Sequence, residues 1–170
     1  MMKNAAAPQV SIVMGSDSDL PVMEEAGKIL EAFGIAFEVR IISAHRSPAR
    51  TAEYAGGLIG RGVQIVIAGA GHAAHLAGVV AAHTTLPVIG VPIDSSSLQG
   101  IDSLLSTVQM PGGIPVATMA LGKAGAKNAG LFAAEILALA DKNLQKQLVD
   151  YRRKLDEGVA AKDSEVRKLR

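Results

Sequence analysis

Residues 63–75 read VQIVIAGAGHAAH, a run of β-branched residues that ends in glycines and two histidines. A strand with one face in water alternates apolar and polar side chains, whereas Val63–Ala68 is almost continuously apolar. That character belongs to a strand covered on both faces, as in a parallel sheet. Outward from it, Val10–Met14 (VSIVM) and Pro87–Val91 (PVIGV) have the same make-up. Ala36–Ile42 (AFEVRII) is more mixed, and Val116–Leu121 (VATMAL) is the weakest of the five.

Helical patterns fill the gaps. Asp19 precedes Leu20-Pro21, placing proline in a first turn where its missing N–H costs nothing. That helix runs to Phe33 and stops at Gly34, a residue suited to a left-handed cap. Pro48 opens a second helix, to about Gly60; Ala73–His83 is a third, and Ile101–Gln109 a fourth, ended by Pro111-Gly112-Gly113. Lys123–Ala140 is a long alanine-rich fifth. Strict β-α alternation argues a doubly wound α/β/α sheet, and by fold-level analogy five parallel strands with right-handed crossovers suggest the flavodoxin-like order 2-1-3-4-5.

The expected organisation is a single domain, 1–170: a flexible N-terminus at 1–8, an α/β core at 9–140, a C-terminal helix at 141–158 and a charged tail at 159–170. In the C-terminal helix Leu144, Leu148, Tyr151 and Leu155 form one thin apolar stripe on a solvated helix. Too thinly apolar to stand alone, it is expected to pack on a neighbouring subunit.

Composition removes several function classes. With 49% apolar and 19% charged residues the chain is not disordered, and a net charge of +1 offers no basic face for nucleic acid. Having no cysteine, it has no disulfide, thiolate zinc site or cysteine nucleophile. Met1–Pro8 lacks the apolar segment of a secretory signal, and no stretch is long and apolar enough to span a membrane, so a cytoplasmic protein is expected. Aromatics are only 3% and glycines number 18, so the core must form at close backbone separations.

In an open α/β sheet, ligands bind at the carboxyl ends of the strands, where strand order reverses. Three polar loops stand there: Gly15-Ser16-Asp17-Ser18-Asp19, Ser43-Ala44-His45-Arg46-Ser47, and Gly69-Ala70-Gly71-His72-Ala73-Ala74-His75. The first couples glycine and two hydroxyls to a helix start, an arrangement that suits phosphate but also describes an ordinary capped turn. In the second, Arg46 offers a planar fork for phosphate or carboxylate, and His45 an imidazole, the group that changes charge near neutral pH. In the third, glycines allow close backbone approach. His72 and His75 stand three apart, but no Asp, Glu or Cys in that loop completes a metal site. His83 reads as a partly buried structural residue, and Pro111–Pro115 as either a lid over the pocket or a plain connection.

In order and spacing, VMGSDSDLPVM (13–23), SAHRSP (43–48), IAGAGHAAHLAG (67–78), LPVIGVP (86–92), GIDSLLSTVQMPGGIPVATMALG (100–122) and AGAKNAG (124–130) strongly resemble class I N5-carboxyaminoimidazole ribonucleotide mutases. The resemblance implies a flavodoxin-like octamer that moves a carboxylate from the exocyclic nitrogen to C4 of an aminoimidazole ribonucleotide, in purine synthesis, using no metal or other cofactor. It implies loss of CO2 from the carbamate, its capture in a closed pocket, attack by C4, and loss of the C4 proton. His45 matches the general acid/base; Ser16, Asp19 and Arg46 match the main substrate contacts. Ser18 and Ser43 match positions near the phosphate, Ala70, Gly71 and His75 the pocket wall, and Gly15, Ala44 and Leu76 complete the expected binding set. The chain departs from the pattern at His72, where the family usually has glycine, and at Ala77, where it has proline.

Beside a purely structural oligomer, which would leave the polar strand-end loops unexplained, two rival readings remain at this level. One is carboxylation of aminoimidazole ribonucleotide by free CO2, on the same fold and His-Arg loop. The other is a non-catalytic nucleotide- or flavin-binding module, against which the absence of tryptophan speaks.

Overall fold

The computed structural model describes residues 7–169, so most of the expected flexible N-terminus lies outside the described residues. Its elements are β1 (Val10–Met14), α1 (Leu20–Ala32), β2 (Phe37–Ile41), α2 (Pro48–Gly56), β3 (Ile65–Gly71), α3 (Leu76–His83), β4 (Val88–Ile93), α4 (Ile101–Val108), β5 (Ala117–Thr118), α5 (Gly122–Ala138) and α6 (Lys142–Arg167). The chain divides into two compact units, Met1–Ala133 and Ala134–Arg170.

The first unit holds one parallel sheet ordered β2-β1-β3-β4-β5, as expected. β1 pairs with β2 on one side (Met14 beside Ile41) and with β3 on the other (Met14 beside Gly69), so the order reverses between β1 and β3. Every residue of β1 and β4 is buried, while edge strand β2 is half to fully exposed. This gradient explains why β2 tolerates Glu38 and Arg40.

Both faces are covered by small side chains. On one face Val13, Val66 and Ala68 pack with Ala55 and Leu58 and with Leu76, Ala77 and Val80 of α3. On the other, α1 meets the middle of α5 at Gly130, where any Cβ would press against the Ala26 carbonyl oxygen (2.8 Å) and Ile29 (2.9 Å). Such close approach is how a chain with five aromatic residues fills its core.

Several boundaries move. β3 starts at Ile65 and runs on to Gly71, because Gly69, Ala70 and Gly71 continue the ladder with Val91, Pro92 and Ile93. α3 accordingly starts at Leu76 rather than Ala73. α2 stops at Gly56, and a 3-10 turn, Ile59–Arg61, closed by left-handed Gly62, follows it. The weak fifth strand shrinks to two residues. Pro111–Pro115 is a connection: Gly113, Ile114 and Pro115 line a separate cavity with His83–Leu86, the segment leading into the amino end of β4. His83 is exposed there rather than partly buried, since it ends α3 at the solvent edge.

In the second unit Asp141 caps α6, its Oδ1 accepting from the N–H groups of Asn143 (2.8 Å) and Leu144 (3.1 Å). Arg152 pairs with Glu135 at 3.0 Å. α6 continues through the segment read as a charged tail to Arg167; Ala160 and Ala161 favour helix, and Arg153–Glu157 and Arg167–Asp163 are spaced i,i+4. Its expected stripe is buried only at Leu144, and Leu155 is exposed. Among the described residues no helix is long and apolar enough to cross a membrane.

Candidate active site

The three polar loops meet above the β1–β3 switch, around a cavity of about 620 Å³. Gly15, Ser16, Ser18 and Asp19 line it from the loop after β1; Ser43, Ala44, His45 and Arg46 from the loop after β2; Ala70, Gly71, His72, Ala73 and Leu76 from β3 and the start of α3. Ser95, after β4, completes the lining. Of the twelve residues singled out from sequence, only His75 is absent from the lining; it reaches the site through His45.

In the first loop Ser16 caps the short turn before α1: Asp19 Oδ2 accepts from the Ser16 N–H at 3.1 Å. The donors expected to be free for an anion are already engaged. Ser18 N–H points at Asp17 Oδ1 (3.1 Å), and Ser16 Oγ donates to the same oxygen at 3.0 Å. Asp19 is 6% exposed, and burial pushes its carboxyl above the ordinary 3.8. The Ser16 and Gly15 N–H groups, then His72 and Arg46, oppose that rise.

The second loop is a tight turn. Ser47 N–H and Oγ both donate to the Ser43 carbonyl at 2.9 Å, and Pro48 then opens α2. Arg46 is tethered across two loops, its Nη2 donating to the Gly15 carbonyl at 2.6 Å and its Nε to Ser43 Oγ at 3.3 Å. Its guanidinium is thereby held at the β1–β2 end of the cavity.

His45 projects toward the third loop. Its Nε2 lies 2.9 Å from His75 Nδ1, the ring centroids are 5.0 Å apart, and the rings are nearly perpendicular at 83°. His72 turns away to Ser95, Nδ1 to Oγ 3.1 Å. The two histidines that a metal would have shared therefore serve different partners. Among the described residues no group of three His, Asp or Glu has metal-holding geometry.

The family model described as AIR carboxylase matches residues 9–158. This chain belongs to the AIR carboxylase family. It is 54% identical over 155 residues to the N5-carboxyaminoimidazole ribonucleotide mutase of Thermotoga maritima, covering 91% of this chain and 90% of that protein. The mutase of Pyrococcus abyssi is 56% identical over 151 residues, 89% of this chain and 86% of that one. The crystal structure of Treponema denticola PurE superposes with a TM-score of 0.82 at 30% identity, covering 93% of this chain and 98% of that chain.

Sequence reasoning overlooked Ser95 and Ala73. Ala73 carries no chemistry to notice. Ser95 had a signal: it stands in the Asp94-Ser95-Ser96-Ser97 run directly after β4, the next strand along from β3. In this family member Ser95 lies over Gly71, where a Cβ would collide with its Oγ, so the glycine is what admits it to the wall.

Proposed function

We propose that this chain is an isomerase of purine biosynthesis that converts N5-carboxyaminoimidazole ribonucleotide to 4-carboxy-5-aminoimidazole ribonucleotide. The observation that carries this is identity above 50% to mutases over about nine-tenths of the chain. The geometry of the strand-end loops supports it with a suitable set of groups.

His45 acts as general acid and base. As an imidazolium it gives a proton to the carbamate nitrogen while the N–C bond breaks, releasing CO2 and leaving the aminoimidazole. C4, electron-rich through its amino neighbour, attacks the CO2 carbon. The C4–H proton then returns to the imidazole, and the ring regains aromaticity. One proton leaves and one returns, so the cycle closes without a redox partner. Gly71, Ala70 and Leu76 wall a small chamber that holds CO2 near C4, which raises its effective concentration. Arg46 with Ser18 and Ser43 binds the phosphate, and Asp19 accepts from ribose hydroxyls.

The family description, AIR carboxylase, favours one second reading: the same site carboxylating aminoimidazole ribonucleotide with free CO2. Relative turnover of the carbamate substrate and of aminoimidazole ribonucleotide with bicarbonate separates the two. Assembly as a homo-octamer in the cytoplasm, with α6 on a neighbouring subunit, belongs to the same proposal. It is supported by the exposed apolar residues Ile101, Leu105 and Val108 along α4, with Leu98 in the loop before it, and by Val149, Leu155 and Val159 on α6.

A further inference from the structure

His72 has a left-handed backbone, with φ 54°, a conformation shared among the described non-glycine residues only by Gln99. A non-glycine residue is uncommon there, histidine being among the better tolerated, and it persists where its surroundings hold it, commonly at functional sites. What holds His72 is Ser95, whose Oγ lies 3.1 Å from its Nδ1. Ser95 in turn occupies the space that the missing side chain of Gly71 leaves open. Two loops, after β3 and after β4, thus combine to aim one imidazole. The ring lines the cavity and is exposed, and its Nε2 has no hydrogen-bond partner among the described residues.

Its position decides what it meets. The tethered cation, Arg46, stands at the β1–β2 end. The one carboxylate among the lining residues is Asp19, and His72 lines the same cavity from the loop after β3. An anion is repelled from Asp19, whereas a hydroxyl donates to it. The part of a ribonucleotide facing both Asp19 and His72 is therefore its sugar, since the phosphate goes to Arg46. A vicinal diol has donors for Asp19 and both donors and acceptors for an imidazole nitrogen.

We propose that His72, oriented by Ser95, is a specificity-determining contact to the ribose hydroxyls of the ribonucleotide substrate. This rests on the mutase reading and extends its binding set to two residues.

The test compares wild type, His72→Gly and Ser95→Ala. Steady-state kcat and KM are measured with the carbamate substrate. Dissociation constants are measured for the product ribonucleotide and for its 2′-deoxy and 3′-deoxy analogues. Glycine removes the ring yet accepts the left-handed backbone, so the fold is kept. The expected result for H72G is a KM raised roughly three- to ten-fold, with kcat within about two-fold, as fits one lost hydrogen bond. Preference for the ribonucleotide over one deoxy analogue should shrink by the same factor. S95A should move KM in the same direction, with no further loss in the double variant. An active wild type whose H72G variant keeps both its KM and its ribose preference would overturn the proposal. So would a fall in kcat at unchanged KM, which would put His72 in proton transfer. A wild type unable to use the carbamate, yet showing the expected loss of ribose preference in H72G, would overturn the mutase reading while leaving the contact in place.

Discussion

His45 Nε2 and His75 Nδ1 lie 2.9 Å apart, joining two imidazoles from different loops by one hydrogen bond. One ring must donate and the other accept, so the bond to His75 ties the tautomer and orientation of His45 to those of its partner. His45→Asn should lower kcat about 10²–10⁴-fold with nucleotide binding retained. His75→Ala should lower it less, by freeing the His45 ring from its partner. His75→Asn, whose amide can stand where Nδ1 stands, should recover most of the rate. Equal rates in wild type and H45N would remove the pair from the chemistry.

Arg46 should distinguish nucleotide from nucleoside. It is already fixed by Gly15 and Ser43, so little freedom is lost when a phosphate arrives. Arg46→Ala should weaken binding of the product nucleotide by about 1.5–3 kcal/mol, the range for a charge-assisted hydrogen bond, and that of its dephosphorylated nucleoside far less. Calorimetric titration of both ligands checks this, and equal losses would contradict it.

Asp19 makes a pH prediction. Burial raises its folded-state carboxyl above 3.8, so the folded chain holds that proton more tightly than the unfolded chain does. Ionisation above the raised value therefore disfavours the native state, and below 3.8 the penalty vanishes. Asp19→Asn should be more stable than wild type at neutral pH, with the gap closing as pH falls through the raised value. The variant should nonetheless bind nucleotide less well. Denaturant midpoints at pH 7 and near pH 4 test the sign, and a variant less stable at pH 7 would contradict it.

Truncation after Ala140 should reduce the assembly state or solubility and leave the sheet intact. α6 carries exposed Val149, Leu155, Val159 and Val166, which the chain itself leaves uncovered. Sedimentation of both forms, with circular dichroism of the shortened one, measures this; a full-length monomer at micromolar concentration would defeat it.

The parallel sheet and the meeting of three loops were legible because apolar continuity marks buried parallel strands, and strand ends in such a sheet converge, whereas the strand order came by analogy with flavodoxin-like folds. His45, Arg46 and Asp19 stood out as polar residues directly after those strands. The role of Ser95 was not legible, since it depends on β4 lying against β3 and on the space left at Gly71. The left-handed turn at His72 and its bond to Ser95 arise the same way, from loops far apart in sequence. Pro111–Pro115 shows a rule that was available: a segment leading from a helix into a parallel strand lies at the amino ends, away from the site. The length of α6 was underestimated because its charged residues read as a solvated end, while their i,i+4 pairing sustains a helix.

In the mechanism proposed for His45, the carboxylate moves from nitrogen to C4 within one site. The direct measurement uses the carbamate substrate labelled with ¹³C in its carboxylate, in excess unlabelled bicarbonate with carbonic anhydrase present. The account predicts that most of the label appears at the C4 carboxylate of the product, and that aminoimidazole ribonucleotide with bicarbonate reacts far more slowly. A product carrying carbon from the bicarbonate pool, formed as fast from aminoimidazole ribonucleotide, would contradict it.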